Sequence, residues 1–181
     1  MVCGTFDIGS TGLSKAFKFG KRRGLVDGIE IIELKLPYSN TQNIYRRSQV
    51  FFLYALHSTL IAVTESFDVI FATSTPLTAG LPGMAGRWLK GKPFVFEIRD
   101  SWPQLPIAMG VIKNPMIIFL LRILERCIYR SASHLIGLAP GVISEVQQKG
   151  VPDTRITLIP NGCDDEFKGP ERVYSGGVVR M

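Results

Sequence analysis

The sequence is poor in the residues that build disulfide frameworks and metal sites. Its three cysteines, Cys3, Cys127 and Cys163, are far apart and form no C-x-x-C pair. Its two histidines, His57 and His134, are separated by a long stretch of chain. The pattern predicts no metal site and no disulfide scaffold, and it favours a reducing, cytoplasmic compartment.

Long hydrophobic runs are also lacking. The apolar stretch 50–63 is interrupted by His57 and two hydroxyl residues, and the stretch 116–121 is stopped by Arg122. Both are shorter than the roughly 18 apolar residues that a membrane span needs. The first residues, MVCGTFDIGS, lack the basic segment and apolar core of a secretory signal. The sequence therefore predicts a protein that is soluble or lies at a membrane surface.

Positive charge is what the sequence has in excess. Its 181 residues, enough for one domain, carry a formal net charge of +6 with a pI near 9.4. Such a balance favours a negatively charged partner, which leaves nucleic acid, an anionic bilayer or a phosphorylated substrate. No RNP, KH or helix-turn-helix pattern is present, so we do not expect nucleic acid as a partner.

From residue 68 onward, short apolar runs alternate with helical stretches. The predicted strands span 69–72, 94–98, 135–138 and 156–159, and the predicted helices span 77–89, 115–131 and 141–149. This alternation predicts an α/β domain with a Rossmann-like parallel sheet and helices on both faces. We place the domain at 1–168 and a tail at 169–181. Residues 1–25 show no strand–loop–helix unit, and only 28–36 suggests an earlier strand.

Ligands of such sheets bind beyond the carboxyl ends of the strands, which selects the loops 73–78, 99–106 and 160–165. The candidate residues in them are Ser74, Thr75, Arg99, Asp100, Trp102 and Asn161. A guanidinium and a carboxylate side by side suit phosphate binding and acceptance of a hydroxyl proton. The structural alternatives remain open: an Arg–Asp pair, a helix cap at Ser74, and Trp102 as a plug on the core.

Two segments resemble family 4 glycosyltransferases, in particular the subgroup that builds O-antigen and capsule sugars on a polyprenyl carrier. FVFEIRDSWPQLPIAMG at 94–110 resembles the V-F-E-x-R-D-x-W-P motif of that family. IPNGCDDEF at 159–167 resembles its I-P-N-G-x-D segment. The similarity covers about 28–170.

The resemblance implies the N-terminal half of a GT-B fold, in which two Rossmann-like domains face a cleft. It implies a retaining transferase without an obligatory metal or cofactor, whose nucleotide-sugar donor is a co-substrate held mainly by a C-terminal domain. The N-terminal domain would hold a lipid-linked sugar acceptor. By the same resemblance Asp100 is the candidate catalytic residue, and Ser74, Thr75, Arg99, Trp102 and Asn161 are candidates for acceptor binding.

The chain departs from the family in three features. No glutamate is followed by a second one eight positions later, although the family's donor domain carries such an E-x7-E pair. The family's first strand and its glycine-containing loop are not recognisable. We therefore expect a truncated chain without its donor domain, inactive alone. A non-catalytic binding module, a partner in trans of a separate donor domain, and the remnant of a degraded gene remain alternatives.

The stretch 115–131 carries Arg122, Arg126 and Arg130 at four-residue spacing, which places them on one side of a helix. The rest is nearly all apolar, so we predict that these arginines face the inner surface of the plasma membrane. A core helix with arginines that complement the helix dipole is the alternative. Glycines at 80, 83 and 86 predict close packing of the preceding helix on the sheet.

Overall fold

The computed structural model describes residues 1–6, 10–39, 41–74 and 76–162, and Thr75 lies outside these ranges, as does the predicted tail. The strands of the described chain are β1 Val2–Phe6, β2 Lys21–Val26, β3 Ile29–Tyr38, β4 Ile70–Thr73, β5 Phe94–Ile98, β6 His134–Gly137 and β7 Ile156–Leu158. The α-helices are α1 Ile44–Thr64, α2 Leu81–Lys90, α3 Gln104–Ala108, α4 Pro115–Ser131 and α5 Pro140–Gln148. None of them has the length and apolar character that crossing a bilayer requires.

The last four strands form a parallel sheet in the order β4-β5-β6-β7. Helices α2, α4 and α5 lie in the connections between these strands and pack against the sheet. Parallel strands need such crossovers, because the end of one strand and the start of the next lie at opposite edges of the sheet. The predicted α/β class, a Rossmann-like parallel sheet flanked by helices, is confirmed.

The core lies between this sheet and its helices. Phe94, Phe96 and Ile98 of β5 point into it, where they meet buried side chains of α2, α4, α5 and β6. Val95 and Glu97 on the other side of β5 are half-buried. The largely apolar sequence of β5 predicts a strand buried on both faces. In the structure its residues are alternately buried and half-buried, so only one face lies fully in the core.

The predicted close packing at the three glycines is confirmed. A Cβ atom built on Gly80 would lie 2.7 Å from Ile128 of α4, and one on Gly86 would lie 2.4 Å from Ile70 of β4. A Cβ on Gly83 would lie only 2.0 Å from the ring of Phe94. Glycine is therefore required here because α2 touches the sheet directly at Gly83 and Gly86, and the turn before it touches α4 at Gly80.

Helix α4 begins and ends where the sequence predicts. The Asn114 side chain accepts hydrogen bonds from the backbone N–H groups of Met116, over 2.9 Å, and Ile117, over 3.3 Å. Pro115 occupies the first helical position, where its missing N–H has no cost. The helix ends at Ser131.

The first part of the chain differs from the prediction. Strand β1 pairs in parallel with β3, and β2 pairs with β3 as an antiparallel hairpin, so residues 1–26 supply two strands. The hairpin turns at Asp27 and Gly28, whose φ angles are 49° and 79°. An Asp-Gly pair with apolar residues directly on both sides is a hairpin signal, and the sequence carries it here.

Helix α1 connects this three-stranded sheet to β4. Asn43 caps its first turn by accepting a hydrogen bond from the N–H of Arg46, 2.9 Å away. The helix packs on β3 and on α2, so it joins the two sheets into one body. As a result, the carboxyl ends of β1 and β3 lie beside the segment that follows β4.

Candidate functional site

Ser74 and Arg99 follow neighbouring strands, β4 and β5, and the structure brings them together. The Ser74 N–H donates to the carbonyl of Glu97 over 2.8 Å. The Arg99 N–H donates to the Ser74 hydroxyl oxygen over 2.9 Å. Ser74 is 3% exposed, so its side chain holds the two loops together. Its predicted contact with an acceptor stays a prediction.

Arg99 and Asp100 stand at the carboxyl end of the central strand β5. The Arg99 side chain is exposed and that of Asp100 is half-buried. Because the backbone of Arg99 is fixed by Ser74, the guanidinium and the carboxylate leave the sheet from a rigid point. With this arrangement Arg99 can bind an anionic group while Asp100 accepts a hydrogen bond from a neighbouring hydroxyl.

Trp102 packs against the hydrophobic core, with a half-buried side chain. Pro103 follows through a cis peptide bond and is fully buried. The two residues therefore cover the end of the core beneath the loop, which agrees with the alternative that Trp102 plugs the core. The exposed part of Trp102 remains available to a sugar, and that role stays a prediction.

Asn161 lies apart from the other candidates. It is exposed and follows β7, which is three strands away from β4. Three strand spacings correspond to about 14 Å. Asn161 and Ser74 are therefore not partners in one small site, and only an extended ligand would touch both.

The loop that carries Asp100 is anchored from the side by a chain of polar contacts. Ser101 lies close enough to Glu145 of α5 to lower the pKa of that carboxyl. The Lys149 ammonium group lies 2.6 Å from Glu145 and 2.5 Å from Glu125 of α4. The Tyr129 hydroxyl donates to Glu125 over 3.2 Å. Sequence reasoning missed these residues, although the four-residue spacing of Glu145 and Lys149 signals a helical ion pair.

Burial raises the pKa values of Glu125 and Tyr129, whereas hydrogen bonds lower that of Glu145. It raises the pKa of Glu125, and the hydrogen bonds and charge of Lys149 offset this only in part. Burial also acts to raise the pKa of Glu145, but hydrogen bonds from Lys149 and Ser101 outweigh it and the pKa is lowered. The pKa of Tyr129 is raised by burial and by the neighbouring Glu125.

Four buried side-chain polar atoms in the described residues have no hydrogen-bond partner. They are Gln42 Oε1, Arg47 Nε, Thr78 Oγ1 and Gln104 Oε1. All four follow the carboxyl ends of strands, in the segments after β3, β4 and β5. A buried polar atom without a partner costs about 1–3 kcal/mol, so such atoms call for a ligand or ordered water. No pattern in the sequence identifies them, because their burial depends on neighbouring loops.

A small pocket of about 170 Å³ opens at the same edge. Its lining residues come from β1, β3, α1 and the segment after β4: Gly4, Thr5, Leu36, Tyr38, Val50, Phe51, Tyr54 and Pro76. Tyr38 and Phe51 stack with ring centroids 5.3 Å apart, and Arg47 donates to the Tyr38 hydroxyl over 2.8 Å. Small-molecule sites usually enclose about 300–1,000 Å³, so this pocket forms only part of such a site.

Ser74→Ala should lower the free energy of unfolding by about 1 kcal/mol, because the Arg99 N–H loses its buried acceptor. Urea denaturation measures the change. Ser144→Ala is the matched control, since that hydroxyl bonds to the Pro140 carbonyl of its own exposed helix turn. An equal loss of unfolding free energy in the two variants would contradict the conclusion that Ser74 holds the two loops together.

The predicted membrane-facing arginines, Arg122, Arg126 and Arg130, are all exposed along α4. The opposite side of the helix belongs to the core, where Ile128 and Tyr129 are buried. The inner side of the helix therefore packs in the core, as the alternative of a core helix expects, and the three arginines lie on its outer side. Contact with a membrane stays a prediction.

Comparison with known families agrees with this geometry. No curated protein matches the chain. The sequence model of the family described as "Glycosyl transferase 4-like domain" matches residues 18–162, which include the loops that carry Ser74, Arg99, Asp100 and Asn161. Since this match extends over most of the chain, and the parallel α/β sheet agrees with it, the chain belongs to the glycosyl transferase 4-like domain family.

Proposed function

We propose that this chain is the acceptor-binding domain of a retaining glycosyltransferase. It moves a sugar from a nucleotide-sugar donor to a lipid-linked glycan acceptor in the synthesis of O-antigen or capsular polysaccharide. Family membership supports glycosyl transfer. The observation that carries the location of the site is the set of unpartnered polar atoms at the carboxyl edge of the strands.

The acceptor lies along this edge in the proposed complex. A hydroxyl of the acceptor sugar gives its proton to the Asp100 carboxylate and attacks the anomeric carbon of the donor on the same face from which the nucleotide diphosphate departs, so that the new glycosidic bond replaces the broken one with retention of configuration. Arg99 holds an anionic group of the acceptor, because its guanidinium is exposed beside Asp100. The aromatic wall of the small pocket, Tyr38 and Phe51, gives the sugar an apolar surface.

A second domain completes the site in this proposal, and it binds the donor and stabilises the departing diphosphate. The small volume of the pocket and the absence of an E-x7-E pair from the sequence support this division of labour. Closure of two domains over the acceptor would exclude water and strengthen the charges at Arg99 and Asp100.

The proposed location is the cytoplasmic face of the plasma membrane, where a lipid-linked acceptor is available. The net charge of +6 and the exposed arginines of α4 support attraction to an anionic surface. An amphipathic helix lying in the interface would hold the domain peripherally.

A transfer assay with radiolabelled nucleotide sugar and bacterial membranes tests the function. We expect transfer when the chain is combined with a family donor domain and no transfer by the chain alone. Transfer by the chain alone would contradict the need for a second domain. Absence of transfer in every combination, with both domains folded, would contradict the function itself.

Asp100→Asn should reduce the rate of the combined enzyme at least 100-fold, because a positioned acid–base group typically contributes 10²–10⁴-fold. Asp68→Asn is the matched control, since Asp68 is exposed and precedes β4 at the opposite edge of the sheet. Thermal unfolding of both variants shows whether the fold is intact. A near-normal rate for Asp100→Asn would leave Asp100 with a structural role only.

A further inference from the structure

The outer side of α4 carries a row of exposed side chains that changes character along the helix. Residues three and four apart lie on the same side, and this row consists of Met116, Phe119, Ile123, Arg126 and Arg130. Met116 is 71% exposed and Phe119 63%. The row is therefore apolar over the first half of the helix and cationic over the second half.

The acid of this helix does not reduce the positive charge of the row. Glu125 lies on the inner side, is 2% exposed, and pairs with Lys149 over 2.5 Å. Arg122 is exposed beside the row. Within the described part of the chain, the side chains of Arg122, Arg126 and Arg130 form neither a salt bridge nor a hydrogen bond. The outer side of α4 thus presents three uncompensated positive charges.

An open pocket of about 520 Å³ borders the cationic half of the row. Four cations line it: Arg126, Arg130, Lys149 and Arg155. Lys149 is held by Glu125 and Glu145, and Arg155 donates to the backbone carbonyls of Tyr129, over 3.0 Å, and Ala132. Because these two side chains are engaged with the protein, Arg126 and Arg130 are the groups that can bind a ligand.

This pocket is separate from the candidate acceptor site. It lies between the carboxyl ends of α4 and α5, which lead into β6 and β7 at the amino edge of the sheet. Ser74 and Arg99 follow the opposite, carboxyl edge. A ligand in the pocket therefore does not compete with an acceptor.

We propose that this pocket binds the phosphate group of an anionic membrane lipid, while Met116, Phe119 and Ile123 rest at the boundary between headgroups and acyl chains. Two neighbouring guanidinium groups form charge-assisted, bidentate hydrogen bonds with phosphate. The apolar half of the row favours a lipid, since a soluble anion would gain nothing from it. The inference rests on the proposed location at the membrane and adds the lipid group that is recognised.

Vesicle co-sedimentation of the full chain tests the proposal. One set of vesicles is phosphatidylcholine, and the other is an equal mixture of phosphatidylcholine and phosphatidylglycerol. The wild-type chain should bind the mixed vesicles more tightly. The double variant Arg126→Ala/Arg130→Ala should bind them roughly thirtyfold more weakly, since each basic side chain at the surface contributes about a fivefold factor, and should bind phosphatidylcholine like the wild type.

Arg46→Ala/Arg87→Ala is the matched control, because it removes two exposed arginines from α1 and α2. It should change binding by less than about threefold, as neither residue lines the pocket and exposed charges away from the bound phosphate are largely screened by salt. Equal loss in both double variants, or no preference for the mixed vesicles, would overturn the proposal. Inorganic diphosphate that bound the free chain as tightly as the mixed vesicles would identify a soluble-anion site instead and would overturn it too.

The result is independent of glycosyl transfer. Vesicle binding uses the chain alone, so loss of transfer with intact vesicle binding would contradict the proposed enzyme and leave the lipid site in place. Intact transfer without preference for anionic vesicles would contradict the lipid site and leave the proposed enzyme in place. Circular dichroism of the double variants confirms folding, which the exposed positions of all four arginines lead us to expect.

Discussion

Lys149→Met is expected to lower the free energy of unfolding by about 3–5 kcal/mol, the usual cost of removing one partner of a buried ion pair. Lys149 lies 2.5 Å from Glu125 and 2.6 Å from Glu145. Without the ammonium group, Glu125 must remain charged in the core or take up a proton. Urea denaturation at neutral pH measures the loss.

The loss should shrink as the pH falls. Burial raises the pKa of Glu125 above the ordinary value of a glutamate, so the folded state binds that proton more tightly than the unfolded state. The protonated carboxyl favours the fold below the unfolded pKa, and this advantage disappears as the pH rises through the folded pKa. Acidification through the raised pKa of Glu125 therefore neutralises the unpaired carboxylate of the variant and restores part of its stability.

Lys92→Met is the control for this variant. Lys92 forms an exposed ion pair with Asp68 over 3.7 Å, and such pairs contribute about 0–1 kcal/mol. A Lys149→Met loss no greater than that of Lys92→Met would show that the pair adds nothing by its burial. A deficit that grows on acidification would contradict the pKa assignment of Glu125.

Gly83→Ala is expected to destabilise the fold by about 3 kcal/mol, the upper part of the usual range for overpacking. The added Cβ would lie 2.0, 2.3 and 2.4 Å from three ring atoms of Phe94. That ring is fully buried on a central strand, so it has no space to move. The clash outweighs the gain of up to about 1 kcal/mol that alanine brings to a helix.

Gly141→Ala in α5 is the matched control, because no heavy atom lies within 4 Å of its added Cβ. It should raise stability by about 0.4–1 kcal/mol. Phe94→Leu should recover part of the Gly83→Ala loss in the double variant, since it removes two of the three ring atoms that clash, Cε2 and Cζ. Additive effects of these two substitutions would contradict a direct contact as the cause.

Elements with strong local signals were predictable from the sequence. The Asn114-Pro115 pair marks the start of α4, and the apolar run Phe94–Ile98 marks β5. Strands β1 and β2 were missed, because short strands are stabilised by pairing with distant residues rather than by their own composition. The Asp27-Gly28 turn was the local signal that would have revealed the hairpin.

The candidate site was predictable only to the level of loops. Alternation of strands and helices places Ser74 and Arg99 at the same edge of a sheet, and the structure joins them through a hydrogen bond. The separation of Asn161 from Ser74 depends on the strand order, which the sequence does not specify. The unpartnered atoms of Thr78 and Gln104 depend on how neighbouring loops cover them.

The sequence by itself determined the α/β class and the family, and it placed Ser74 and Arg99 at one edge of the sheet, because periodicity, caps and short motifs are local. Only the tertiary structure decided which groups meet across the chain. Glu125 and Lys149 are 24 positions apart and become a buried pair, and Arg126 and Arg130 become one wall of an open pocket that the end of α5 also lines. Such contacts follow from packing, since burial and proximity arise when distant segments exclude water together.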